Sequence, residues 1–78
     1  MREKQLRVVV AFHTTAEAMA TEQLCRKEGL AGRLISVPRQ LTSDCGIAWA
    51  GPTETRTQLE ALLPIAGIDA AGFYELFL

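Results

Sequence analysis

One histidine and two cysteines are all this chain has of the side chains that most often hold zinc or do thiol chemistry. With no C-x-x-C pair and no cysteine cluster, a metal site made by the protein is not expected, nor is a redox dithiol. Long hydrophobic runs are missing too. No segment approaches the roughly 20 apolar residues of a spanning helix, so no membrane segment is expected. Neither sign of charge dominates, with 8 basic and 9 acidic residues and no lysine- or arginine-rich run. That leaves no electrostatic footprint for nucleic acid or an anionic membrane. None of the six glycines is spaced as a phosphate-cradling loop, and no serine–histidine–acid set is supported by spacing. No cofactor is expected.

What is present is apolar. Nearly half of the 78 residues are hydrophobic (49%), which makes the chain globular and, at this length, a single domain over residues 1–78. The start, MREKQLRVVVAFHTT, has a basic end, but its apolar stretch is short and runs straight into a helix-capping pattern. It reads as a first strand and not as a signal peptide, so the expected location is the cytoplasm, with both cysteines reduced.

Leu6 to Phe12 is rich in β-branched residues and apolar on both faces, as a central strand would be. Thr14 and Glu17 then match the capping box S/T-x-x-E, opening a helix from about Ala16 to Glu28 and closed by Gly29. Arg33–Val37 reads as a second strand stopped by Pro38, and PRQLTSDCG as loop. Gly46–Ala50 reads as a third strand, broken by Gly51-Pro52. A second helix starts near Thr53 or Thr55, with Leu59, Leu62 and Leu63 on its apolar stripe, and Pro64 ends or kinks it. Gly72 opens a last strand, FYELFL. The order β-α-β-β-α-β is the ferredoxin-like split βαβ unit: an α+β sandwich with strand order 4-1-3-2 and both helices on one face.

That topology places the loop between strands two and three at the end where strand one exits and the first helix begins. Cys45 is then expected near His13, Thr14, Arg39 and the positive pole of the helix. Such surroundings favour an exposed thiolate, while Asp44 next to it opposes one. His13 is a candidate base or hydrogen-bond partner, and Arg39 a candidate anion binder. A lone loop histidine is more often simply solvated, a surface arginine after Pro38 needs no such role, and S-D-C-G is also ordinary turn chemistry. Cys25, on the first helix's inner face with Leu24, reads as core, far beyond disulfide reach of Cys45. Trp49 reads as core or interface.

The stretch V-P-R-Q-L-T-S-D-C-G resembles the signature of a family of small selenium/sulfur carrier-like proteins, a Pro-Arg pair followed by an aliphatic residue, a serine or threonine, and Cys-Gly opening a strand. Pro38, Arg39, Leu41, Ser43, Cys45 and Gly46 stand at those positions. Ala18, Glu22 and Leu24 are similar to the family's first helix, so the resemblance covers the whole chain. Pro64 and the unassigned AGPTETR segment depart from it. The resemblance implies that Cys45 carries sulfur or selenium as a persulfide or perselenide, handed from a donor protein to an acceptor. It implies a carrier and not a stand-alone catalyst, with Arg39, His13, Ser43 and Gly46 supporting the thiol. Two other readings stay open: a non-catalytic interaction or regulatory module, and a thiol redox sensor.

One expectation concerns assembly. Along FYELFL, Phe73, Glu75 and Phe77 share one face and Tyr74, Leu76 and Leu78 the other, so a monomer exposes one apolar set. The last strand is also a sheet edge with little charge to guard it. A homodimer is expected.

Overall fold

A computed structural model describes residues 3–78; of the basic start, Met1 and Arg2 lie outside the described residues. The elements follow in the order β1 (Leu6–Phe12), α1 (Thr15–Glu28), β2 (Arg33–Ser36), β3 (Ile47–Pro52), α2 (Thr55–Ile65) and β4 (Ala70–Phe77). The four strands form one antiparallel sheet in the order β2-β3-β1-β4, which is the expected 4-1-3-2 read from the other edge. The architecture is the α+β ferredoxin-like arrangement.

Register divides the sheet's residues between its two faces. Val10 lies opposite both Trp49 and Phe73, and these three belong to the core cluster under the helices with Val8, Phe12, Ala18, Cys25, Leu59 and Leu63. Val9 lies opposite Ala50 and Tyr74 on the other face, where Ala48, Leu41 and Leu76 join it. Phe73, Glu75 and Phe77 do share a face, since their partners are Val10, Val8 and Leu6. β1 is buried from Val8 to Phe12 because it is central and covered on both sides.

α1 is fixed at both ends. Thr14 Oγ1 accepts from the Glu17 amide at 3.2 Å, and Glu17 Oε1 accepts from the Thr14 amide at 3.1 Å, the capping box the sequence predicts. At the other end the Leu30 amide donates to the Cys25 carbonyl at 2.8 Å and Gly29 to Arg26 at 3.3 Å, a Schellman closure.

Two strand boundaries correct the sequence reading. β3 continues through Gly51-Pro52 instead of breaking there, with Gly51 opposite Val8 and Pro52 opposite Arg7. β2 last pairs with β3 at Ala50, so Pro52's missing N–H removes no ladder bond on that side. Gly51 meanwhile gives up its side chain to the indole of Trp49 and to the Ala31 carbonyl oxygen, 2.7 Å from where a Cβ would stand. β4 begins at Ala70 and not at Gly72, because a bulge shifts the register between Ala11↔Gly72 and Phe12↔Ala70. As expected, α2 stops at Pro64 to within a residue, ending at Ile65, and the proline's missing N–H removes one bond of the last turn. A second Schellman closure follows, Ile68 to Leu63 at 2.9 Å and Gly67 to Pro64 at 3.0 Å.

Among the described residues no helix is long and apolar enough to cross a membrane, and no group of His, Cys, Asp and Glu is placed to hold a metal ion.

Candidate functional site

The loop from Val37 to Gly46 leaves the β2 edge, passes the end of the sheet where β1 exits, and returns into β3. Its inward side is set by alternation: Leu41, Ser43 and Cys45 are half-buried, while Thr42, Asp44 and Gly46 are exposed. Leu41 packs against the open face of the sheet and Cys45 against the helix-side core, so the loop wraps the sheet's end. Gly46 closes the loop with φ 72°, in the left-handed region, and its carbonyl accepts from the Val37 amide at 3.0 Å. A Cβ at Gly46 would meet nothing within 4 Å, so what holds glycine there is backbone conformation and not space.

Two side chains anchor this loop to the end of β1. Ser43 Oγ donates to the Phe12 carbonyl at 3.0 Å. Cys45 Sγ lies 3.6 Å from the same oxygen and 3.4 Å from the Ile47 carbonyl, and as a thiol it donates to them. Ser43 Oγ and Cys45 Sγ are 3.6 Å apart, with either able to donate. The Cys45 sulfur is therefore ringed by two carbonyl acceptors and one hydroxyl. The carbonyls can accept from the S–H, and Ser43 is the one side-chain donor within reach of the sulfur.

This differs from the exposed loop thiol expected from sequence: Cys45 is half-buried because its odd-numbered position turns it inward with Ser43. His13 directly follows Phe12 and Thr14 caps α1, so both lie at the end where the loop is anchored. His13 and Arg39 are exposed, and among the described residues neither makes a hydrogen bond or ion pair to the thiol. Sequence reasoning did not foresee the Phe12 and Ile47 carbonyls, since backbone acceptors leave no side-chain motif. The one available signal was the i, i+2 spacing of Ser43, Cys45 and Ile47, which puts them on one side of an extended chain.

Cys25 is the contrasting thiol. It is 3% exposed in the helix-side core, and burial pushes its pKa up from 9.0 to about 11. Both cysteines are free.

No curated protein and no solved structure matches the chain. A protein family described as "Putative Se/S carrier protein-like" matches residues 7–75, a span that holds the anchored loop and both cysteines. The chain belongs to this Se/S carrier protein-like family.

Proposed function

We propose that the protein is a sulfur or selenium carrier whose working thiol is Cys45. One observation carries the reading: of the two free thiols in the family-matched region, Cys25 is sealed in the core and Cys45 alone is partly accessible. The step needs no metal and no resolving cysteine. The Cys45 thiol gives its proton to solvent, and the thiolate attacks the outer sulfur of a persulfide on a donor protein. A Cys45 S–S bond forms as the donor's S–S bond breaks, and the electron pair leaves with the donor cysteine as its thiolate. In discharge an acceptor thiolate attacks the outer sulfur, and Cys45 leaves with the pair. Sulfur keeps its oxidation level throughout, and selenium substitutes atom for atom.

In this reading Ser43 turns its hydroxyl from the Phe12 carbonyl to the ionised or sulfur-bearing Sγ, and Gly46 holds the loop conformation. Arg39 and His13, exposed around it, meet the partner. The protein works in the cytoplasm, without nucleic acid, between a donor and an acceptor protein, and pairs as a homodimer through the unguarded β4 edge. Replacing Cys45 by Ser separates this role from simple docking. A carrier loses all transfer while keeping its affinity for the donor; a docking module keeps every function, and that result would overturn the proposal.

A further inference from the structure

The face of the sheet away from the helices carries a hollow of about 560 Å³ at the end remote from Cys45, where β1 begins. Strand register explains it. Ala50 of β3 lies directly opposite Arg33 of β2, and Arg7 of β1 is opposite Pro52, one diagonal step from Ala50. A methyl group thus sits between two long cationic side chains on the same face. Ile35 and Leu78 extend the apolar lining, and Lys4 adds a third cation to the rim. Glu3 is the one acidic side chain lining it.

These cations are not spent elsewhere. The ion pairs among the described residues join Arg26 to Glu22 and Arg56 to Glu60 and Glu75, all involving the helices. Arg7 makes a hydrogen bond to the neutral Gln5 amide at 3.2 Å, and among the described residues neither Lys4 nor Arg33 has a carboxylate partner. A chain of net charge −1 therefore gathers three unpaired positive groups around one apolar floor. Three cations at one end are too few and too local for a nucleic-acid track, and the volume falls in the range of small-molecule sites.

We propose that this hollow binds a small organic anion, its acid group held by Arg7, Arg33 and Lys4 and its apolar body laid over Ala50 and Ile35. Guanidinium groups take carboxylate and phosphate oxygens in pairs of hydrogen bonds, and the small floor residue leaves room for a ring or short alkyl group. The inference does not rest on the carrier reading, since it uses the other face and the other end of the sheet.

Titrating the full chain with phenyl phosphate, inorganic phosphate and phenol, followed by amide NMR shifts, tests it. Saturable shifts are expected at residues 32–35, Ala50 and Arg7 with phenyl phosphate, with weaker binding of inorganic phosphate and none of phenol. Arg7→Gln with Arg33→Gln should weaken phenyl phosphate at least about tenfold, the worth of one or more charge-assisted hydrogen bonds. Neither arginine holds an ion pair in the fold, so the double variant is expected to stay folded, with the dispersion of its spectrum as the check. Ala50→Leu, which fills the floor and keeps the charges, is expected to weaken phenyl phosphate binding as well. Equal binding of phenol, undiminished binding by the double variant, or shifts centred elsewhere would overturn the proposal.

Discussion

At the scale of single residues the contrast lies between two thiols. At neutral pH a thiol reagent should modify Cys45 much faster than Cys25, since Cys25 is both buried and held in its protonated form. Mass-resolved labelling over time checks this, and equal rates would mean that the Cys25 core opens on the same timescale. Ser43→Ala is expected to slow Cys45 modification roughly fivefold, the worth of a hydrogen bond of about 1 kcal/mol to the anionic sulfur. If the variant reacts faster instead, Ser43 serves only to tie the loop to Phe12. Cys25 also sets a pH dependence. Its folded pKa of about 11 lies above the ordinary 9.0, so its contribution to stability is full below pH 9 and is lost as pH rises toward 11. Cys25→Ala should flatten that part of the Tm–pH curve measured against the parent chain. The Cys-Gly pair and Ser43 were legible in the sequence as a motif. The half-burial of Cys45 was not, because it depends on two carbonyls that the chain brings together from β1 and β3.

At the scale of elements, local chemistry was most readable where it is self-contained. The Thr14–Glu17 box and Gly29 mark α1 to within a residue, since each cap is closed by groups a few positions away. Thr14→Ala is expected to cost about 1 kcal/mol in a denaturant titration. The breakers misled for the opposite reason. Gly51-Pro52 looks like a strand stop until one knows that β2 begins only at Arg33, opposite Ala50, and that Trp49 needs the space. Gly51→Ala should therefore destabilise by roughly 2 kcal/mol or more, because the added methyl meets the indole and the Ala31 carbonyl. Wild-type stability in that variant would show that the indole can shift freely. Gly72 is similar: it looks like the start of β4 but sits inside the strand at the register shift.

At the scale of the whole molecule the order of elements carried most of the fold, because six elements in this order have few unknotted arrangements. Surface character was harder to read. The sequence suggests one broad apolar face, yet Val9, Ala11 and Ala48 of the open face are already covered within the monomer, and Ala50 lies at the bottom of the hollow. Of the large exposed apolar groups, Met19 and Ile65 lie on the helices and Tyr74 on the open face, while Phe77, 63% exposed, and Leu6, 41% exposed, stand opposite each other at one end of the β1–β4 pair. The cations beside Ala50 would repel their counterparts if two open faces met at that end. Dimerisation is therefore expected through the β4 edge, with Phe77→Asp giving a folded monomer by light scattering. A clean monomer of the unaltered chain at micromolar concentration would contradict it.

The central claim, that Cys45 carries sulfur or selenium, is tested most directly by intact mass after incubating the reduced protein with a cysteine desulfurase and cysteine, or with a selenium donor. The expected result is one added sulfur or selenium on the parent chain and on Cys25→Ser, and none on Cys45→Ser. No Cys45-dependent adduct from either donor would contradict the account.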